Sequence, residues 1–238
     1  MTKKINTMFN KLILPVMAGA GFIFTSHSAL ALELNYEHKY EDISKEHADE
    51  IEISHDFESG IGIGTKFKFH PVEQANGDAG NFFDKRKISE KEFKINYNKD
   101  ITERFSIEPG MSFTIKDDEE KYKPSIKFKY RLFDKTRLSL RYRKEISDRD
   151  EKPTKRVDRI EGKISQKIGK FDLGYTLTWY HGNENLYNKK HYNTEHEVEV
   201  GYQLTKHFSP YIGVKNEAVS KSSSERQTEY IVGMNYKF

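Results

Sequence analysis

The side chains with the clearest chemical potential are basic residues that recur at every second position. Lys127, Lys129 and Arg131 follow one another at this spacing, and Arg141 and Arg143 repeat it further along the chain. Because alternate residues of a β-strand point to the same face, each run predicts a row of cations. Arginine can hold a carboxylate through two hydrogen bonds, whereas lysine is a hydrated point charge. The pattern therefore favours reversible binding of anions.

Signals for catalysis or for tight metal binding are weaker. The chain has no cysteine, which excludes disulfides, thiolate nucleophiles and cysteine-based metal sites. His181 and His191 fall in a polar segment with two tyrosines but without a nucleophile signature beside them. The acidic segment Asp117–Glu120 is interpreted as a solvated turn. We therefore predict no catalytic residue, no metal site and no cofactor, and the basic rows lack the exposed aromatics of a nucleic-acid site.

The elements that must position these side chains are strands. From Leu32 to the end of the chain the hydropathy pattern has a period of two, which is typical of strands with one apolar and one polar face. Twelve segments show this alternation. They begin near Leu32, Ile51, Ile61, Phe93, Phe105, Tyr122, Leu138, Ile160, Phe171, Val198, Phe208 and Tyr230.

The connections between these strands alternate in length, as they do in outer-membrane barrels. The tight turns are predicted at Glu58–Gly60, Asn98–Asp100, Leu132–Thr136, around Gly169 and at Thr205–Lys206. The longer polar connections are predicted at Glu41–His47, Pro71–Ser89, Ser147–Arg156, His181–His191 and Val219–Arg226, with Asp117–Glu120 as a short exception.

The composition agrees with a transmembrane barrel. Only 35% of the residues are hydrophobic and 32% are charged, yet 13% are aromatic, which disordered chains are not. A barrel whose apolar side faces lipid needs no packed interior, and its closed sheet satisfies every backbone group. We predict an all-β fold, a transmembrane antiparallel up-and-down β-barrel of about twelve strands with a water-filled lumen. The alternative is a secreted soluble β-sandwich or barrel.

The first 31 residues resemble a targeting signal. Lys3, Lys4 and Lys11 precede an apolar stretch, Leu12–Phe24, and a small-residue motif ends at Ala31. This order predicts a secretory signal peptide, 1–31, followed by a single outer-membrane barrel domain, 32–238. The formal charge of +3 then belongs to the signal, since it holds three lysines and no acid. The mature chain is formally neutral.

The inward polar positions are sorted by charge. Closure of a barrel pairs the first strand with the last, so acidic residues near both ends of the chain become neighbours, opposite the basic strands. The predicted basic wall consists of Lys66, Lys68, Lys94, Arg104, Lys123, Lys127, Lys129, Arg131, Arg137, Arg141, Arg143, Arg159, Lys163 and Lys167. The predicted acidic wall consists of Glu33, Glu37, Glu50, Glu52, Glu195, Glu197, Glu199 and Glu229.

Several short motifs resemble one known family. They are Pro109-Gly110-Met111, Tyr122-Lys123-Pro124, Leu140-Arg141-Tyr142-Arg143, Ser209-Pro210-Tyr211-Ile212 and the final segment Ile231–Phe238. Their order and spacing resemble the oligogalacturonate-specific monomeric porins, which include the sialic-acid-inducible channel. The resemblance implies a monomeric twelve-stranded channel for acidic sugars, with arginine tracks to which Arg141 and Arg143 belong. The chain departs from this family at Glu108, where a basic residue is expected, and in using lysine for much of the basic wall.

These observations predict a porin in the cell outer membrane that passes anionic sugars or oligosaccharides by passive diffusion. The solutes, outer-membrane lipid, lipopolysaccharide and the barrel assembly machinery are the expected partners, the last through the terminal aromatic strand that ends at Phe238. Three alternatives stay open: a general small porin, a barrel enzyme of the phospholipase or protease type, and an adhesive barrel acting through its outer loops.

Overall fold

The computed structural model describes residues 32–74, 76, 79–80 and 85–238, so the predicted signal peptide lies outside the described residues. Among the described residues no helix is long and apolar enough to cross a membrane. The strands are β1 Leu32–Glu41, β2 His47–Asp56, β3 Ile61–Pro71, β4 Arg86–Tyr97, β5 Lys99–Asp100, β6 Phe105–Ile115, β7 Glu119–Phe133, β8 Thr136–Arg149, β9 Lys152–Ile168, β10 Phe171–Gly182, β11 Tyr192–Tyr202, β12 Phe208–Ala218 and β13 Arg226–Lys237.

The strands form one closed antiparallel sheet. Each strand pairs with its neighbours in sequence, except that β4 and β5 do not pair with each other; β4 pairs with β6, and β1 pairs with β13. The two-residue β5 continues β4 after an interruption at Asn98 and pairs with the same strand, β6. The barrel therefore has twelve strands, and the predicted all-β, up-and-down barrel is confirmed.

Burial in this barrel is inverted relative to a soluble protein. The buried apolar side chains among the described residues are few: Ala48, Val157, Tyr211 and Ile231. Buried polar and charged side chains are more numerous, and alternate apolar positions such as Ile212, 61% exposed, and Val232, 59% exposed, face outward. Soluble proteins bury the opposite set. The soluble sandwich is thus disfavoured by where the apolar side chains lie.

Aromatic side chains mark both ends of the outward apolar face. At one end Phe171 lies 5.1 Å from Tyr202, measured between ring centroids. At the other end Tyr40 stacks on Tyr230 at 6.5 Å. Such rows are typical of the two membrane interfaces, where an apolar ring with a polar edge is favoured.

Two predicted connections are wrong. Ser147–Arg156, expected to be a long loop, is mostly strand, because β8 and β9 continue to a two-residue turn at Asp150 and Glu151. Asn98–Asp100, expected to be the tight turn, instead extends the pairing with β6, and the chain turns at 101–104. The longest connections, 72–85 and 183–191, lie at the end of the barrel opposite the tight turns, as the alternation in length predicts.

Two polar residues on the apolar face have partners. His196 pairs in register with Leu177, on the outer parity, and its Nδ1 lies 2.9 Å from the Tyr175 hydroxyl. Gln166 lies opposite Thr136, whose hydroxyl donates to Gln166 Oε1 at 2.5 Å. Each contact lowers the cost of placing a polar group toward lipid.

The β2–β3 turn depends on Gly60. Its φ of +88° is a conformation that side chains disfavour, and a Cβ there would lie 2.4 Å from the backbone oxygen of Asn98. We expect Gly60→Ala to lower the free energy of unfolding by about 2–4 kcal/mol, from backbone strain together with the clash. Denaturant titration of the barrel refolded in lipid vesicles measures this loss.

Gly169 provides the matched control, because it has a φ of +61° but a Cβ added there would meet no atom within 4 Å. Gly169→Ala should therefore cost only the strain, about 1–2 kcal/mol. Equal losses in the two variants would contradict the role given to the Asn98 contact.

Candidate pore lumen

The register shows which charged residues share the inner face. Lys127 lies opposite Arg141, and Arg141 lies opposite Glu161, whereas the neighbouring Tyr142 is 41% exposed on the outer face. All predicted wall residues except one lie in strands with this inner parity. They are Glu33 and Glu37 on β1, Glu50 and Glu52 on β2, Lys66 and Lys68 on β3, Lys94 on β4, Lys123, Lys127, Lys129 and Arg131 on β7, Arg137, Arg141 and Arg143 on β8, Arg159, Lys163 and Lys167 on β9, Glu195, Glu197 and Glu199 on β11, and Glu229 on β13.

Arg104 is the exception, since it lies in the 101–104 connection at the end of the barrel that carries the tight turns. Its backbone oxygen accepts a hydrogen bond of 2.8 Å from the amide of Arg131. Arg131 lies directly opposite Arg137. These three arginines line a cavity of about 220 Å³ at this mouth, together with Lys129.

A second group of arginines lies further along the same strands. Arg143 on β8 is directly opposite Arg159 on β9, and Arg141 is the next inward residue of β8. Arg141 Nη2 is 2.7 and 2.6 Å from the two carboxylate oxygens of Glu161, and Arg159 Nη2 is 2.8 Å from one of them. The Arg159 guanidinium also lies 5.4 Å from the centre of the Tyr180 ring. We call Arg141, Arg143 and Arg159 the arginine cluster.

The basic wall also contains carboxylates that the sequence prediction of the two walls does not include. Glu92 pairs with Lys123 at 2.6 Å, Glu108 pairs with Lys129, and Glu161 lies inside the arginine cluster. Strict alternation carried through each strand would have found them, since Glu161 lies between inward Arg159 and Lys163.

The acidic wall likewise contains lysines that the predicted walls do not include. Lys39 on β1 pairs with Glu37 at 2.9 Å and with Glu50 at 3.0 Å. Lys215 on β12 pairs with Glu217 at 2.7 Å and Glu229 at 2.8 Å. Both lysines lie at inward positions of their strands, so the alternation of inward and outward residues also predicts that they face the lumen. Much of the acidic wall is therefore neutralised in place.

The charges that remain uncompensated are still segregated. Among the described residues, five cations of the basic wall form no ion pair within 4 Å, and Glu195 and Glu197 on β11 form none either. Lys163 and Glu199 approach to 4.0 Å across β10, where Gly174 leaves room for the lysine stem. The unpaired cations are Arg104, Lys127, Arg131, Arg137 and Arg143.

The end with the long connections is held together by hydrogen bonds. Arg149, at the end of β8, pairs with Glu184 of the 183–191 connection, and Asn183 donates to the backbone oxygen of Thr154 at 3.1 Å. The hydrogen bond from Arg149 holds the pKa of the Glu184 carboxyl below its usual range. The pair therefore stays charged at neutral pH, and the connection stays attached to the β8–β9 hairpin.

Other candidate sites have structural explanations. Carboxylate oxygens of Glu41, Glu217 and Glu229 lie close enough together to hold a cation. Lys215 pairs with two of these residues, however, and Gln227 donates to Glu41 and Glu217. His181, near the end of β10, and His191, in the 183–191 connection, also have contacts.

Of these histidines, His181 stacks on Trp179 at 5.9 Å, and His191 Nδ1 is 3.0 Å from the Gly182 oxygen. Neither contact involves a nucleophile. Both histidines are therefore explained by packing at the end of the barrel.

Comparison with known proteins decides the family. The sequence profile described as "Oligogalacturonate-specific porin protein (KdgM)" matches residues 25–238. The chain belongs to this porin family. A curated member, the oligogalacturonate-specific porin KdgM of Dickeya dadantii, is 28% identical over 223 residues, which cover 90% of this chain and 94% of the relative.

Solved porin structures share the fold. A structure of the KdgM porin in complex with disordered oligogalacturonate superposes with a TM-score of 0.67 at 25% identity, covering 87% of this chain and 99% of that one. The NanC porin superposes with a TM-score of 0.72 at 17% identity, covering 86% and 100%. Family and fold together place the chain among outer-membrane porins, which are channels rather than enzymes.

Proposed function

We propose that this porin passes anionic sugars or oligosaccharides, of the oligogalacturonate or sialic-acid type, by passive diffusion through the outer membrane. The solute would move along the basic wall of β7, β8 and β9, which would face the acidic wall on β1, β2, β11 and β13. A structure of a KdgM porin is described as a complex with disordered oligogalacturonate, and the superposition covers 87% of this chain and 99% of that one. The monomeric state and the pore-lining roles of the two walls are part of the proposal.

The observation that carries it is the direct pairing of Arg143 with Arg159. Like charges directly opposite each other on neighbouring strands destabilise a sheet. Arg143 has no carboxylate within 4 Å among the described residues, so an anion entering the lumen would supply the missing counter-charge. Guanidinium groups suit a sugar carboxylate, because their planar donors match its two oxygens.

The remainder of the wall favours looser contacts. Lysine predominates on β7, and a lysine ammonium binds anions as a point charge without the planar match of arginine. A succession of weak cationic sites suits conduction, since a solute must leave each site as readily as it enters. The chain should therefore tolerate a range of acidic sugars.

One observation favours a second candidate, a general porin with weak selectivity. Each wall carries charges of both signs, as in the Lys123–Glu92 and Lys215–Glu229 pairs, which reduces the net field in the lumen. Selectivity for anions separates the two candidates.

The test uses the refolded mature chain in planar bilayers. Under a gradient of potassium chloride we expect a reversal potential of the sign that indicates anion permeation, and micromolar to millimolar trigalacturonate should reduce the current in a concentration-dependent way. Neutral maltotriose, a trisaccharide without carboxylates, is the control and should have a smaller effect at the same concentration.

A channel that conducts without preference between ions, and that treats both trisaccharides alike, would support the general porin instead. Selectivity for cations would overturn the proposal. A chain with no conductance would be inconsistent with both candidates.

The export route is a further part of the proposal. Residues 1–31 would be removed after Ala31, and β13 with the residue that follows it would be recognised by the barrel assembly machinery through the exposed rings of Tyr236 and Phe238. Outer-membrane lipid and lipopolysaccharide would then contact the apolar face.

A further inference from the structure

Glu161 occupies the hydrogen-bond donors that an acidic sugar would use. Its two oxygens accept bonds of 2.7 and 2.6 Å from Arg141, and one accepts a bond of 2.8 Å from Arg159. Its side chain is only 13% exposed, so the carboxylate lies within the wall and not in the open lumen. It is the same chemical group as the carboxylate of a uronic acid.

The arginine cluster is therefore only partly neutralised. Only two of its three guanidinium groups, those of Arg141 and Arg159, bind Glu161, and the next carboxylate, that of Glu145, is 3.9 Å from Arg159. Arg143 receives neither, and the Nε atoms of Arg141, Arg143 and Arg159 are buried without a hydrogen-bond partner. In the arginine cluster some N–H donors therefore have no acceptor, next to other donors that are bound to Glu161.

We propose that Glu161 is a built-in competitor that sets how long an acidic solute stays at the arginine cluster. A solute carboxylate that approaches Arg141 or Arg159 must share or displace the Glu161 carboxylate, which weakens binding and speeds release. Rapid release is what a diffusion channel requires. Glu161 is thus a specificity-determining residue, and this inference rests on the proposed passage of anionic sugars.

A purely structural role for Glu161 makes the opposite prediction. If the carboxylate only holds Arg141 and Arg159 in position, its loss lets these long side chains move apart and weakens the site. Glutamine separates the two roles, because Glu161→Gln keeps the shape and one acceptor oxygen but removes the charge.

The experiment measures single-channel block by trigalacturonate in wild type and in Glu161→Gln. We expect the mean dwell time of each blocking event to lengthen about tenfold, the effect of removing one charge-assisted competitor. Glu52→Gln is the matched control: it removes one inward carboxylate, paired with Lys94, on the acidic side of the barrel. It should shift ion selectivity toward anions without lengthening the block.

The outcomes are distinct. An unchanged or shortened dwell time in Glu161→Gln overturns the competitor role, and so does an equal lengthening in Glu52→Gln. Absence of any block in the wild type refutes the proposed function instead. In that case the reversal potential in potassium chloride still tests Glu161, since unmasking the arginines must raise anion selectivity more in Glu161→Gln than in Glu52→Gln.

Discussion

A channel that carries Lys127→Glu, Arg137→Glu and Arg143→Glu is expected to select cations, the reverse of the anion selectivity proposed for the wild type. These residues lie on the inner face of β7 and β8, and none has an ion-pair partner within 4 Å among the described residues, so the reversals break no existing pair. Two unit charges 4 Å apart interact by about 1 kcal/mol even in water. Three reversals together should exceed the roughly 1.4 kcal/mol that changes a permeability ratio tenfold.

The measurement is the sign of the reversal potential under a potassium chloride gradient. The control carries Lys45→Glu, Lys152→Glu and Lys170→Glu, which change the net charge equally but lie in connections or at a strand end. Its reversal potential should keep the wild-type sign. An unaltered reversal potential in the inner variant, or the same inversion in the control, would show that the inner face of β7 and β8 does not govern selectivity.

Gly233→Ala is expected to displace Tyr211 and to alter both stability and conductance. The Tyr211 ring packs against Gly233, where an added Cβ would be 2.3 Å from Tyr211 Cζ. The tyrosine hydroxyl donates to Glu37 at 2.8 Å and accepts from Asn35 at 2.8 Å, and the side chain is 7% exposed. Swinging the ring into the lumen breaks both hydrogen bonds. We expect a loss of about 2–3 kcal/mol in the free energy of unfolding and a smaller single-channel conductance.

Two further variants make this prediction specific. Gly162→Ala is the control, because nothing lies within 4 Å of a Cβ at that strand position, and it should be neutral or slightly stabilising. Combining Gly233→Ala with Tyr211→Ala removes the obstructing ring and should return the conductance to at least the wild-type value. A double variant that conducts as poorly as Gly233→Ala alone would refute the displacement of Tyr211.

The strands and their faces could be read from the sequence because alternation is a local property. Wherever one face meets lipid, every second residue must be apolar, so Ile212, Val214 and their equivalents identify the outer face directly. The same rule fails beyond the membrane. The β8–β9 hairpin around Asp150 carries polar side chains on both faces, so its hydrogen-bonded strands continue without apolar alternation, and the composition of Ser147–Arg156 resembles that of a loop.

The pairing beyond Asn98 escapes prediction for a related reason. A short polar segment that contains Asn98 and Asp100 is typical of a turn, yet Lys99 and Asp100 pair with Ile107 and Ser106 of β6. Whether such a segment forms a strand depends on the backbone hydrogen-bonding groups that the neighbouring strand leaves available. The composition of the segment itself does not contain this information.

Residue order alone predicts the class of protein: the number of strands and the membership of the porin family both follow from local alternation and short motifs. Which charges cancel depends instead on how the strands are aligned in the folded barrel. The partners of Arg141 and Arg159 are set by the register between β8 and β9, which places Glu161 beside them and leaves Arg143 without a carboxylate. Ion pairing acts over a few ångströms between different strands, so residue order along one strand cannot specify it.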